Sequence, residues 1–142
     1  MRVTFASGSA LKRIGKCAFG GCKQLREIEI PAGVEEIGER WFSGCSSLSR
    51  VTFASGSALK RIGKGAFSGC KELRDIEIPA GVEEIGEFCF SYSSLFRVTF
   101  ASGSALKRIG KWAFRGCKEL REIEIPAGVE EIGEGCFSRS SL

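Results

Sequence analysis

Apolar and polar residues alternate over short stretches, and the arrangement recurs along the chain. Ile28-Glu29-Ile30, Val51-Thr52-Phe53, Ile76-Glu77-Ile78 and Val98-Thr99-Phe100 each put two apolar side chains on one side and a polar one on the other. A period of two, built from β-branched and aromatic residues, predicts short strands with one buried face. Pro-Ala-Gly or Ala-Ser-Gly-Ser-Ala follows each and predicts a turn. Pro31, Pro79 and Pro126 stand just past the strand, where a missing N–H does least harm. The Val-x-x-Ile-Gly stretches predict a second extended piece, and Ala-Phe-x-x-Cys a single helical or 3₁₀ turn.

These elements make a rung of about 23 residues, and the rungs come in two kinds. Leu11, Ile14, Gly15, Phe19, Cys22, Leu25, Ile28 and Ile30 match Val34, Ile37, Gly38, Phe42, Cys45, Leu48, Val51 and Phe53. Basic rungs start at Leu11, Leu59 and Leu106; acidic rungs start at Val34, Val82 and Val129. One of each makes a module, so the stretch VTFASGSALKRIGK recurs unchanged at 3–16, 51–64 and 98–111. The modules are 1–48, 49–95 and 96–142. A single rung cannot bury its own apolar side. Stacked rungs form one continuous core, which predicts a single solenoid domain over 1–142.

Charge explains why the module holds two rungs. In-register parallel strands set equivalent residues about 4.8 Å apart, so like charges in a column repel. Lys16, Glu39, Lys64, Glu87, Lys111 and Glu134 alternate in sign. So do Arg2, Glu27, Arg50, Asp75, Arg97 and Glu122, and the paired residues from Lys12-Arg13 to Glu130-Glu131. A slip of one rung would set like beside like in all three columns, so the pattern fixes the register.

The spacing of Leu25, Ile28 and Ile30 resembles the strand signature of leucine-rich repeats. The continuation I-P-x-x-V-x-x-I-G-x-x-x-F-x-x-C-x-x-L, from Ile30 to Leu48, is similar to the BspA-like class, and the likeness covers essentially the whole chain. The resemblance implies a right-handed, β-rich leucine-rich repeat solenoid. About six short parallel strands would lie on one face, with turns or short 3₁₀ or helical pieces on the other. It also implies a non-enzymatic protein of the cell surface or secreted space that binds other proteins. The chain has no Asn after its strands, where better-known repeat classes carry one; Gly33 and its equivalents occupy that region. The second acidic rung departs from the first, with SYSSL where SGCSSL is expected.

Composition narrows the chemistry. Histidine is absent, which removes the commonest general base and the commonest zinc ligand. No catalytic residue, metal ligand or cofactor site is expected. No apolar run approaches the roughly 20 residues of a membrane helix, so no membrane insertion is expected, and no signal peptide opens this chain. Cys22, Cys45, Cys70 and Cys117 share one column and read as small buried hydrophobes. Cys17, Cys89 and Cys136 fall in less regular slots and are candidates for reactive thiols. GSALKRIGK has the wrong glycine spacing for a phosphate loop. The net charge is +4, but its sign alternates from rung to rung, leaving no continuous basic stripe and no expectation of nucleic-acid binding.

A protein partner is expected on one of two surfaces. The outward strand residues Glu29, Thr52, Glu77, Thr99 and Glu124 form one. The other is the irregular slot that follows the Lys/Glu column, with Arg40, Phe88 and Trp112, beside which Trp41 replaces an alanine. Aromatics and arginine dominate binding hot spots. The alternative is a structural or engineered scaffold without external ligand. The three modules look like an excised or designed array cut at one phase, whose first and last rungs are complementary halves. Val3, Phe5, Ile123, Ile125, Phe137 and Leu142 would then join copies end to end as a homo-oligomer.

Overall fold

The structure, a computed structural model, describes residues 1–141. Each of the four middle rungs, starting at Val34, Leu59, Val82 and Leu106, contributes two strands, and every strand pairing is parallel. The front face carries β1 (Arg2–Val3), β2 (Glu27–Ile30), β4 (Arg50–Phe53), β6 (Asp75–Ile78), β8 (Arg97–Phe100) and β10 (Glu122–Ile123). The Val-x-x-Ile-Gly stretches form a second, five-stranded sheet from β3 (Glu36–Ile37), β5 (Arg61–Ile62), β7 (Glu84–Ile85), β9 (Arg108–Ile109) and β11 (Glu131–Ile132).

The register is the one the charge columns require. Glu27 lies opposite Arg50, Asp75 opposite Arg97 and Glu84 opposite Arg108. Six ion pairs connect rungs among the described residues, all within the three alternating columns, the shortest being Arg97–Glu122 at 2.7 Å. All are solvent-exposed, so each contributes at most about 1 kcal/mol and their main effect is on register.

The front sheet is interrupted. Strands joined through Pro-Ala-Gly pair over four residues, as β2 does with β4 and β6 with β8. Strands joined through the longer Ala-Ser-Gly-Ser-Ala turn pair over only two, as in β1–β2 and β10–β8. No ladder joins β4 to β6, and the front face splits into two three-stranded sheets. The expected six strands are present but do not form one sheet.

Inside, several columns hold a single residue type. Leu25, Leu48, Leu73, Leu95 and Leu120 are fully buried, as are Ile37, Ile62, Ile85 and Ile109 to within 1% exposure. Phe19, Phe42, Phe67, Phe90, Phe114 and Phe137 stack into a continuous ladder, with centroids 5.2–5.4 Å apart and rings within 13° of parallel. The rung spacing of a parallel ladder matches the offset stacking distance of phenyl rings, so one geometry satisfies backbone and core together.

No helix occurs among the described residues. The turn predicted over Ala-Phe-x-x-Cys is instead a run of overlapping bends. Ala18 N–H donates to Gly15 O, Gly20 N–H to Cys17 O and Cys22 N–H to Phe19 O. The amides between them point along the solenoid axis. Phe19 donates to Trp41 O at 3.0 Å, Phe42 to Ala66 O at 2.8 Å and Phe67 to Cys89 O at 2.7 Å. Alternate amides thus close local turns and bond the next rung, a pattern no α-helix can supply.

Candidate protein-binding surface

That ladder constrains the corner backbone. In each rung two residues, four apart, occupy the left-handed region. The first column is Cys17, Arg40, Gly65, Phe88, Trp112 and Gly135, with φ from 54° to 63°. The second is Gly21, Gly44, Gly69, Tyr92, Gly116 and Arg139, with φ from 56° to 73°. Their amides feed the axial ladder: Arg40 N–H donates to Lys64 O at 2.9 Å, Phe88 to Lys111 O at 3.0 Å and Trp112 to Glu134 O at 2.9 Å. Glycine takes this conformation freely, whereas a residue with a Cβ costs about 1–2 kcal/mol. Of the six non-glycine occupants, three are aromatic and two are arginine.

The irregular slot of the sequence is therefore the first left-handed column. Its side chains lean over the following rung. Phe88 stacks on Trp112 with centroids 5.1 Å apart and rings at 22°. A Cβ added at Gly65 would come within 3.2 Å of the Arg40 Cγ, and one at Gly135 would collide with the Trp112 indole. Glycine one rung on makes room for the bulky residue before it. Arg40 is exposed, and Phe88 and Trp112 are half-buried.

Trp41 is a correction. Its side chain is fully buried, packs edge-on against Phe42 at 5.7 Å, and donates its indole N–H to Ile14 O at 2.9 Å. It fills core space beside the phenyl ladder, in the slot that holds Ala66 and Ala113 in basic rungs, and offers no surface to a partner. The strand-face residues Glu29, Thr52, Glu77, Thr99 and Glu124 are exposed, with Glu29 opposite Thr52 and Glu77 opposite Thr99. Val3, Phe5, Ile123, Ile125 and Phe137 are partly buried against the core, and Leu142 lies outside the described residues.

The thiols also differ from expectation. All seven cysteines are free. Cys45, Cys70 and Cys117 donate their S–H to Phe19 O, Phe42 O and Phe90 O of the preceding rung, at 3.0, 3.3 and 3.1 Å. Burial pushes the Cys45 and Cys136 thiols up to about 11 and the Cys89 thiol well above its ordinary value. Cys89 and Cys136 are therefore not reactive thiols, because the nucleophilic thiolate is the form burial disfavours. Cys17 is exposed. Among the described residues no group of three or more potential ligands could hold a metal, and no helix is long and apolar enough to cross a membrane.

Comparison with known proteins agrees with this geometry. The family model of the BspA type leucine rich repeat region matches residues 3–104 and 54–142, with six copies. The chain belongs to the BspA-type leucine-rich repeat family. Among solved structures, the leucine rich repeat protein of T. pallidum superposes with a TM-score of 0.81 at 28% identity, over 96% of this chain and 74% of that one. A leucine rich cell surface protein of Faecalibacterium prausnitzii matches at 30% identity and a TM-score of 0.65 over 99% of this chain, which spans 47% of that protein. A leucine-rich repeat protein of Bacteroides ovatus matches at 26% identity and a TM-score of 0.55, with all of this chain covering half of it. The comparison with curated proteins found no match.

Within this BspA-type solenoid the charge is not evenly spread. Summed by rung it alternates; sorted by surface it does not. The segments between the corner and the front strand, 20–26 and its equivalents, carry Lys23, Arg26, Lys71, Arg74, Arg115, Lys118, Arg121 and Arg139 against only Glu72 and Glu119. None of these ten residues is in any of the six ion pairs. The rung-by-rung sum concealed a basic flank. Tyr92 and Phe96 lie on the same flank, 41% and 40% exposed, in the rung that is one residue shorter than its counterpart. Sequence reasoning noted that departure but missed its consequence, because only the register shows which residues stack beside it.

Proposed function

We propose that this chain is a non-enzymatic protein-binding module of a cell-surface protein, acting through the left-handed corner column centred on Phe88 and Trp112. The observation that carries the reading is where the bulk sits. The column holds glycine in two rungs of six, yet it places a stacked Phe–Trp pair and an arginine in a conformation costly for all three. Half-exposed aromatics and arginine are the residue types that dominate interface energetics. The family match and the surface location of the F. prausnitzii relative support this reading. The regular columns offer no nucleophile paired with a base, which supports a non-enzymatic role.

The test is a Phe88→Gly/Trp112→Gly double variant. Glycine suits both backbones, so the fold should survive. A protein captured from extracellular and cell-surface extracts by the immobilised wild-type chain, then purified, should bind the variant at least about tenfold more weakly. Equal affinity, or no saturable binding by the wild type, would overturn the assignment.

A second reading, a scaffold whose copies join end to end, is favoured by the polarity of the corner ladder. Among the described residues, the amides of Gly135, Phe137 and Arg139 have no acceptor, and the carbonyls of Lys16, Ala18 and Gly20 have no donor. The rung starting at Leu11 is basic and the one starting at Val129 acidic. A second copy in register would continue the phenyl ladder from Phe137 to Phe19. Light scattering over a concentration series in reductant should show growing mass, reversed by Lys16→Glu; a constant monomer mass would sink this reading.

A further inference from the structure

We infer that the basic flank around Tyr92 and Phe96 is a docking surface for an acidic segment of another protein that also carries apolar side chains. The inference rests on the protein-binding reading but uses a different set of residues.

Two exposed aromatics lie in one rung, and each is bracketed by cations from the rungs on either side. Tyr92 has Lys71 before it and Arg115 after it. Lys71 Nζ donates to Tyr92 O at 2.8 Å and stands 6.0 Å from the ring centroid, and the Arg115 guanidinium carbon lies 5.8 Å from it. Phe96 N–H donates to Arg74 O at 2.7 Å, and Arg121 N–H donates to Phe96 O at 2.9 Å, so its column reads Arg74, Phe96, Arg121. Tyr92 and Phe96 are 41% and 40% exposed, so each is accessible from outside while its rung anchors it.

The flank is net positive, with eight cations against Glu72 and Glu119. Every ion pair of the described residues lies in the alternating columns, so the flank cations are available to carboxylates from outside. Charge complementarity of this kind speeds encounter and selects partners, and the aromatics give an apolar side chain something to bury against. Glu72 and Glu119, beside Lys71 and Lys118, argue for protein over a phosphate backbone or an anionic membrane. A carboxylate repels every phosphate it meets, whereas a polypeptide can place a lysine or an amide there. The flank is also a surface of stacked rungs and not a groove that could track a strand of nucleic acid.

The test uses four probes on the intact chain: a labelled peptide mixing Glu with Leu and Phe, polyglutamate of equal length, oligothymidine, and vesicles containing phosphatidylserine. The mixed peptide should bind best, and its affinity should fall as salt rises. Lys71→Ser/Arg74→Ser/Arg115→Ser/Arg121→Ser and Tyr92→Gly/Phe96→Ser should each weaken it about tenfold or more. Ser49 already stands in the column of Arg74, Phe96 and Arg121, Ser138 in that of Arg115, and glycine in that of Tyr92, so these variants should fold. Phe88→Gly/Trp112→Gly should leave peptide binding unchanged, which separates failure here from failure of the corner assignment. Absence of peptide binding, equal binding by the flank variants, polyglutamate binding as tightly as the mixed peptide, or tighter binding to oligothymidine or vesicles would overturn the proposal.

Discussion

A single added methyl group tests whether the rungs stack as closely as the glycine column implies. Gly15 and Gly86 hold the same place in their rungs, after the isoleucine of the second extended piece, and neither has a positive φ. An alanine Cβ at Gly86 would lie 2.8 Å from the Gly63 carbonyl carbon, 2.8 Å from the Lys64 nitrogen and 3.0 Å from the Ile62 oxygen. At Gly15 it would meet nothing within 4 Å. Carbon contacts are comfortable at about 3.5–4.0 Å, so the rungs at Gly86 must part by most of an ångström. The obstructing atoms are backbone, held by bonds from Gly86 N–H to Ile62 O at 2.8 Å and from Gly63 N–H to Ile37 O at 2.7 Å. Overpacking typically costs about 1–3 kcal/mol, and an obstacle with no rotamer to change puts Gly86→Ala at the top of that range. Gly15→Ala meets no obstacle and, by restricting the unfolded chain, should stabilise by about 0.4–1 kcal/mol. Urea titrations followed by circular dichroism report both as midpoint shifts at unchanged slope. Equal shifts for the two variants would refute the close-stacking argument.

Phe67→Ala should cost about 3–5 kcal/mol, since its fully buried ring stacks on both sides, while Phe19→Ala, half-buried with one neighbour, should cost roughly half as much in the same titrations. Stability should fall as pH rises through the window from about 9 to 11 and beyond, because burial holds the Cys45 and Cys136 thiols at about 11 in the folded chain against 9 when unfolded, and raises Cys70, Cys89 and Cys117 as well. Each such thiol adds a slope of about 1.4 kcal/mol per pH unit in that window, and Cys136→Ala should make the measured slope shallower. In the front sheet, Arg50 N–H donates to Arg26 O and Ala54 N–H to Ile30 O, so the alternate amides of Val51 and Phe53 face the unladdered junction, as do those of Asp75 and Glu77. Hydrogen exchange should be faster at Val51 and Asp75 than at Thr52 and Ile76; equal protection would mean that the two half-sheets are joined.

Most of the fold was legible because the constraints that build it are periodic in sequence. The Ile-Glu-Ile alternation, the phenylalanine every rung and the sign-switching columns each carry one signal many times over. The break between β4 and β6 was not legible, because turn length alone does not say how far two strands diverge. The absence of a helix at Phe19 and its equivalents was hidden for a different reason. Apolar residues three apart suit a helical turn and a chain of bends equally well, and only the axial bonds from alternate amides decide between them. Trp41 misled because a tryptophan in an alanine slot looks like a surface novelty until the register places it beside Phe42. Summing charge by rung, and not by surface, hid the flank.

The corner also explains where this repeat can vary. A strand residue answers to charged neighbours on two rungs, and a core residue to the ring or methyl group above and below it. A left-handed corner residue points outward and meets mainly the same slot one rung on. Arg40 leans over Gly65, so these two positions should trade bulk. Gly65→Phe places a Cβ against the Arg40 Cγ in a backbone that already disfavours it, and should destabilise by about 2 kcal/mol or more. In an Arg40→Gly background the obstruction is gone and only the backbone cost of about 1–2 kcal/mol remains. A double-mutant cycle on denaturation free energies should therefore return a coupling of about 0.5 kcal/mol or more favouring the exchanged pair. Additive effects would show that the corner slots do not sense one another, and the glycines that follow Arg40 and Trp112 in this column would then have lost their physical cause.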